Sequence, residues 1–315
     1  MSIDILVIGL PALADDILTR QATERGWTLH HPGADGLAPP EIAQRIVAVA
    51  ASGAVSVDAR LIDALPALKI ISVHAVGYDL TDVAHARSRG VVVTHTPDVL
   101  NDDVADMALL LALGTLRRLP AMDAYVRAGR WASEGPPPLS RRATGLKYGL
   151  LGLGRIGRAI AERLAPLAGE IAYHTRRPVG DAPWRHVPDL VELAGQVDVL
   201  VVIVPGGAST RGLVSAEVLD ALGPNGVLIN VARGEVVDQD ALIAALASGR
   251  LGGAGLDVFA DEPNVPQALI DSDRCVLAPH VASATVQTRQ AMADLMIANL
   301  EAVLSGRPAV SPVPD

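Results

Sequence analysis

A chain of 315 residues, half of them hydrophobic, is long enough for two domains of ordinary size with a substantial core. Its formal net charge of −9 excludes a general nucleic-acid binder, which needs a basic face, so any anionic ligand must be held by a local positive site. The single cysteine, Cys275, excludes an intramolecular disulfide and suits a reducing compartment, and with aromatics at 3% the core must be built from Ala, Val, Leu and Ile.

Strand-like and helix-like stretches alternate from the start. Residues 3–9 read as a strand and not as a signal peptide, since no basic leader precedes the apolar run. A helix is predicted over 14–25, and short strands over 27–30, 54–57, 69–73 and 91–94, with the segment 60–65 between two of them. A long helix begins near Asn101. Asp102 and Asp103 suit its first turn, Arg117 and Arg118 complement its C-terminal end, and Pro120 is expected to stop it. Residues 131–144 are rich in Pro and Gly and read as an irregular arm, either a plain connector or a piece used in dimerisation or substrate lining.

Further strands are predicted over 147–151, 170–174, 197–204, 226–231, 253–257 and 275–277, with helices over 158–167, 215–222 and 240–247. This is the pattern of a doubly wound parallel sheet. A last helix, 285–304, stops at Ser305-Gly306 and would pack back on the first domain. The expected architecture is α/β, with a discontinuous domain of 1–98 plus 284–315 and a dinucleotide-binding domain of 99–283. Apolar runs near 107–113 and 199–204 fall far short of the ~20 residues a membrane span needs, so the expectation is a soluble cytoplasmic protein.

The most informative stretch is Lys147–Gly157, where an apolar strand runs into Gly152-Leu153-Gly154-Arg155-Ile156-Gly157 and a helix follows. A glycine pattern alone is weak evidence, but this context assigns each glycine a task. Gly152 permits the tight turn, Gly154 lets the backbone approach a pyrophosphate, and Gly157 lets helix pack on strand. The helix N-terminus then offers free N–H groups and the positive end of its dipole.

Ligands of open α/β sheets bind outside the carboxyl ends of the strands, so the residues just after each strand carry the chemistry. After strand 170–174 comes Thr175-Arg176-Arg177, where a site selective for NAD places an acid for the ribose 2′-OH. A hydroxyl and two guanidinium groups favour a 2′-phosphate, hence NADPH, over the plainer reading of solvated surface arginines. After strand 226–231 comes Arg233, either a clamp for a substrate carboxylate or a surface cation. Glu262 and His280 follow the next two strands. A carboxylate beside a histidine fixes its tautomer, and such a histidine can give a proton to a carbonyl oxygen or take it back.

His74 follows strand 69–73 in His74-Ala75-Val76-Gly77, where backbone N–H groups could hold a carboxylate, and it is weighed evenly as a cleft residue. His30, His31, His85, His95, His174 and His186 read as surface or structural. No metal-ligand spacing is present, and Cys275 reads as a small buried hydrophobe, so no metal is expected. Neither a Gly-x-Ser-x-Gly elbow nor a P-loop occurs.

The segments HAVGYDLTDV, GVVVTHTPDVLNDDVADMALLL, GLLGLGRIGRAIAERL, GVLINVARGEVVDQDALIAAL, GGAGLDVFADEP and LAPHVAS together resemble the D-2-hydroxyacid dehydrogenase family, most clearly over 65–306. The resemblance implies a Rossmann dinucleotide-binding domain and a smaller flavodoxin-like substrate domain. It implies Arg233 as ligand of the substrate carboxylate and keto oxygen, His280 as acid/base with Glu262 orienting it, and the backbone of Val76 and Gly77 on the carboxylate. Cofactor contacts would fall at Leu153, Gly154, Arg155, Ile156, Val204, Pro205, Thr210, Val231, Ala232, Arg233, Asp257, His280 and Ser283. The Thr175-Arg176-Arg177 stretch and Gly129-Arg130-Trp131 look like the NADPH-preferring glyoxylate/hydroxypyruvate reductase branch, with NAD as the second choice of cofactor. The implied protein is a homodimer that reduces small 2-keto acids to D-2-hydroxy acids. Two other readings share the scaffold: a nucleotide-sensing corepressor, and a dehydrogenase of formate or phosphite.

Overall fold

The computed structural model describes residues 3–34 and 36–314, and the chain forms two compact units, 1–100 with 284–315 and 101–283. In the first unit the strands are β1 (Ile3–Ile8), β2 (Trp27–His30), β3 (Ile46–Ser52), β4 (Ile70–His74) and β5 (Val92–Thr94). They pair in parallel in the order β2-β1-β3-β4-β5. This is the doubly wound order of flavodoxin-like sheets. Alternation along the strands fills both faces. Ile5, Val7, Ala48, Ala50 and Ile70 pack with Ile17 and Leu18 of the helix Ala12–Arg25 and with Met296, Ile297 and Leu300 of the helix Val286–Leu304. Leu6, Val49, Ala51, Ile71 and Val73 pack on the other side with Ile62, Leu65 and Ala86. The C-terminal helix thus completes the first unit by covering its sheet, and burial of its apolar face is what returns the chain there.

The second unit holds β6 (Lys147–Leu151), β7 (Glu170–His174), β8 (Arg185–His186), β9 (Val199–Val202), β10 (Val227–Asn230), β11 (Gly253–Leu256) and β12 (Cys275–Leu277). All neighbours are parallel, in the order β12-β11-β10-β9-β6-β7-β8. The order reverses between β6 and β9, and that switch point is where an open parallel sheet leaves a crevice at its carboxyl edge. Both units are therefore the doubly wound parallel sheets expected, one Rossmann-like and one smaller and flavodoxin-like.

Several local expectations change. The strand placed at 54–57 is instead β3 at Ile46–Ser52, an Ala-rich strand buried on both faces, and Val57 makes only an isolated bridge to Thr81. Pro120 does not simply stop the long helix. That helix ends at Leu116, Arg118 turns the chain with φ of 53°, and Pro120 lies in the first turn of a new helix, Leu119–Arg127, where its missing N–H costs nothing. The arm begins with a short helix, Arg130–Glu134. The helix Leu190–Gln196, capped by the Asp189 carboxylate on the Glu192 N–H, and the edge strand β8 were not anticipated. No helix among the described residues is long and apolar enough to cross a membrane.

Candidate active site

The glycine turn sits at the switch point. Gly152 has φ of +103°, and a Cβ there would lie 2.4 Å from the Ile203 carbonyl oxygen, so the turn after β6 presses on the end of β9 and only glycine fits. A Cβ on Gly157 would lie 2.6 Å from the Gly152 carbonyl oxygen, which ties the helix Arg155–Leu164 to the same turn. Gly154 differs, because a Cβ there would meet nothing within 4 Å. It is the N-cap of that helix and supplies no side-chain cap to the backbone N–H groups at the helix start. An uncapped N-terminus with room before it fits a pyrophosphate. Leu153 is buried, Arg155 exposed and Ile156 half-buried.

At the end of β7 the Thr175 hydroxyl donates to the Arg177 carbonyl at 2.7 Å, so it shapes the loop. Arg176 and Arg177 are exposed, and neither guanidinium is held by a carboxylate among the described residues. His174 and His186 stack with centroids 6.5 Å apart, and His186 Nε2 lies 2.9 Å from the Thr175 carbonyl, the structural role expected of them. The loop after β9 carries Val204, Pro205 and Thr210, and the Thr210 hydroxyl lies 2.7 Å from the Pro205 carbonyl, closing the loop on itself.

Three strand ends bring the polar groups together. Val231, Ala232 and Arg233 follow β10. Asn230, which sequence reasoning did not single out, holds this turn. Its Oδ1 accepts from the Ala232 N–H at 3.0 Å and its Nδ2 donates to the Arg233 carbonyl at 3.0 Å. A buried Asn at a strand end, two and three residues before its backbone partners, is the signal that could have revealed it. Gly234 is equally required. A Cβ there would lie 1.9 Å from the Phe259 carbonyl carbon, so the turns after β10 and β11 touch through bare backbone.

That contact sets Arg233 beside Glu262. Burial pushes the Glu262 carboxyl up, but the hydrogen bond from His280, the Phe259 N–H and the positive charges of His280 and Arg233 outweigh it and hold the pKa below the usual value. Glu262 Oε2 lies 2.7 Å from His280 Nδ1, and Oε1 accepts from the Phe259 N–H at 3.0 Å. Both carboxylate oxygens are thereby fixed. The imidazole is directed by the bond at Nδ1, its Nε2 is left for other chemistry, and the side chain is 47% exposed.

His280 has φ of 52°, the left-handed region that a non-glycine residue enters only when its surroundings compel it. Asp257 supplies the compulsion. Its carbonyl accepts from the His280 N–H at 2.8 Å, and its carboxylate accepts from the N–H groups of Val281 at 2.8 Å and Ala282 at 2.9 Å. Burial pushes the Asp257 carboxyl up, although these two donors and the His280 charge oppose the shift. Asp257 thus builds the His280–Ser283 turn. Ser283 is half-buried beside it.

In the first unit, Val76 and Gly77 follow β4, and the Val76 carbonyl lies 2.9 Å from His95 Nδ1. The His74 ring, weighed as a cleft residue, is 2% exposed with no hydrogen-bond partner at either nitrogen, so it is a core group and not a ligand. Burial and the nearby Arg289 charge lower its pKa to about 4. Cys275 is partly buried, and burial pushes its thiol up. No group of three or more His, Cys, Asp or Glu that could hold a metal occurs among the described residues.

A guanidinium, a carboxylate and an imidazole at three neighbouring strand ends, beside a glycine-rich switch point, form the constellation of a nicotinamide-dependent enzyme. Comparison with known proteins decides the matter. The family described as D-isomer specific 2-hydroxyacid dehydrogenase, NAD binding domain, matches residues 109–282. This chain belongs to that family. It is similar to a hydroxyphenylpyruvate reductase of Plectranthus scutellarioides, with 48% identity over 86% of each chain. It is also 47% identical to a glyoxylate/hydroxypyruvate reductase of Arabidopsis thaliana over 85% of each chain. Among solved structures, an NADPH-dependent glyoxylate/hydroxypyruvate reductase of Sinorhizobium meliloti, determined with NADP and malonate, superposes with a TM-score of 0.91 at 45% identity and covers 99% of this chain and 97% of that one. The family member is an oxidoreductase that uses a nicotinamide cofactor, and the corepressor and formate or phosphite readings are not favoured.

Proposed function

We propose that this protein reduces small 2-keto acids of the glyoxylate and hydroxypyruvate kind to D-2-hydroxy acids, with NADPH as the preferred cofactor. The observation that carries the reading is the 2.7 Å bond between His280 Nδ1 and Glu262 Oε2, with Arg233 close enough to act on the same carboxylate. Arg233 binds the substrate carboxylate and polarises the keto oxygen. Its fixed fork suits a planar carboxylate. The cofactor, when bound along the glycine turn, supplies a hydride to C2. His280 gives the proton on Nε2 to the keto oxygen, and Glu262 stabilises the charged imidazole before transfer and holds its ring in line. In the reverse direction the neutral imidazole takes the hydroxyl proton.

Preference for NADPH rests on Arg176 and Arg177, exposed where a ribose acid would otherwise stand. Gly152, Gly154 and Gly157 serve the pyrophosphate, and Val204, Pro205, Thr210, Val231, Ala232, Asp257 and Ser283 line the remaining cofactor positions. The apolar side chains of Leu119, Val126, Trp131 and Leu139, all exposed, are the proposed pairing face of a homodimer. A chain with one cysteine suits work in the cytoplasm.

A steady-state screen of glyoxylate, hydroxypyruvate and an aryl pyruvate with NADPH and NADH tests the substrate assignment. His280→Ala should lower turnover about 10²- to 10⁴-fold, the usual contribution of a general acid. Turnover near that of the parent would reject the role.

A further inference from the structure

The geometry points to Glu235 as a positioning residue that holds the loop after β9 against the stem of Arg233 and so sets where the guanidinium stands. The inference rests on the reading of Arg233 as carboxylate ligand. Glu235 lies in the short 3-10 turn Gly234–Val236, two residues beyond Arg233. Its Oε1 accepts from the Gly207 N–H at 2.9 Å, and its Oε2 accepts from Arg211 Nε at 3.1 Å and Nη2 at 2.9 Å. Its own carbonyl accepts from the Gly212 N–H at 2.8 Å. One residue thus grips the loop at both ends of its exposed bend.

The grip matters because of Gly206. A Cβ there would lie 2.8 Å from Arg233 Cγ and 3.4 Å from Glu235 Oε1, so bare loop backbone forms the wall against which the aliphatic part of Arg233 rests. The Asn230 bonds fix the Arg233 main chain, while Arg233 Nη1 is 2.8 Å from the Ala232 carbonyl. The wall completes the confinement of the stem. Without Glu235 the loop has lost both side-chain anchors, the wall recedes, and Arg233 samples more rotamers. A clamp held less firmly binds carboxylate less well.

The test is a double-mutant cycle on kcat/KM for glyoxylate at saturating NADPH, read at high enzyme concentration, with Glu235→Ala, Arg233→Ala and the pair. Glu235→Ala should raise the glyoxylate KM about tenfold with kcat within about threefold, while the same change made on top of Arg233→Ala should add nothing. Glu235→Gln keeps an acceptor for the Gly207 N–H and should stay within about threefold of the parent. Gly206→Ala, whose Cβ would crowd the Arg233 stem at 2.8 Å and meet Glu235 Oε1 only at 3.4 Å, should also raise KM in the parent and not in the Arg233→Ala background, and it carries the test if Glu235→Ala does not fold. An unchanged KM in Glu235→Ala, or an equal loss in both backgrounds, overturns the proposal. If Arg233→Ala itself leaves glyoxylate binding intact, the reading of Arg233 fails first and the proposal falls with it, an outcome distinct from an inert Glu235 beside an essential Arg233.

Discussion

The two units share a doubly wound parallel architecture, yet their first turns are built for different ends. In the first unit, Gly9 follows β1 with φ of +60°, a Cβ there would lie 2.6 Å from Val55 Cγ1, and Pro11 stands at the N-cap of the next helix. The turn is tight, and the Val55 side chain stands where a Gly9 side chain would go. In the second unit, the turn after β6 is just as tight at Gly152, but Gly154 leaves the helix start open and Gly157 draws the helix in. Topology alone therefore makes a crevice, and the second and third glycines give it the steric room that the proposed pyrophosphate site needs. Polar groups near the strand ends differ in the same way. Asn230 and Asp257 have partners for their side-chain polar atoms, whereas His74 and the Thr96 hydroxyl in the first unit are buried without a hydrogen bond.

The largest effect expected in this comparison comes from the second unit's loop after β7. Removing Arg176 and Arg177 together should weaken NADPH about 100-fold or more, at about 1.5–3 kcal/mol for each charge-assisted bond lost, and leave NADH within about threefold. Equal weakening of both cofactors, measured by fluorescence titration, would remove the phosphate reading. Next, Gly157→Ala should weaken both cofactors alike by about 10- to 100-fold through overpacking of about 1–3 kcal/mol. Gly9→Ala should lower stability and leave cofactor affinity alone. If the two glycines behave alike, the distinction between the turns is lost.

Asp257→Asn replaces one acceptor of the His280 turn with a donor. It should cost about tenfold in kcat, the price of about 1.4 kcal/mol, with the keto-acid KM little changed. The smallest effect lies in the first unit. His74 is depressed to about 4 in the folded protein against 6.5 in the unfolded chain, so the unfolded chain takes up the proton first as pH falls. The neutral buried ring is fully tolerated above pH 6.5, and stability drains away between there and pH 4. From pH 7 to 5 the loss should be about 2 kcal/mol. His74→Leu should flatten that part of the profile in urea titrations, and an unchanged slope would show that the ring titrates normally.

How much of this was legible beforehand follows from the physics of each piece. The glycine turn and its strand and helix were readable because each residue type answers a local steric demand. Strand β3 was not, since Ala48, Ala50 and Ala51 carry little strand propensity, and their strand pairs only because both faces are buried. Pro120 marked a boundary but not its sense, which depends on the left-handed Arg118 before it. Strand ends and family resemblance point to Arg233, Glu262 and His280, and the structure sets these three at adjacent strand ends, whereas Asn230, Gly234 and Glu235 act through contacts between loops. Periodicity carries no information about those.

The backbone at His280 has one further implication. Its placement is inherited from main-chain hydrogen bonds to Asp257, one strand away, and not from anything that meets the substrate. Side chains that sense the size and polarity of the substrate can therefore diverge while the proposed proton donor keeps its place. An architecture of this kind lets selectivity drift among descendants without moving the backbone that carries this histidine.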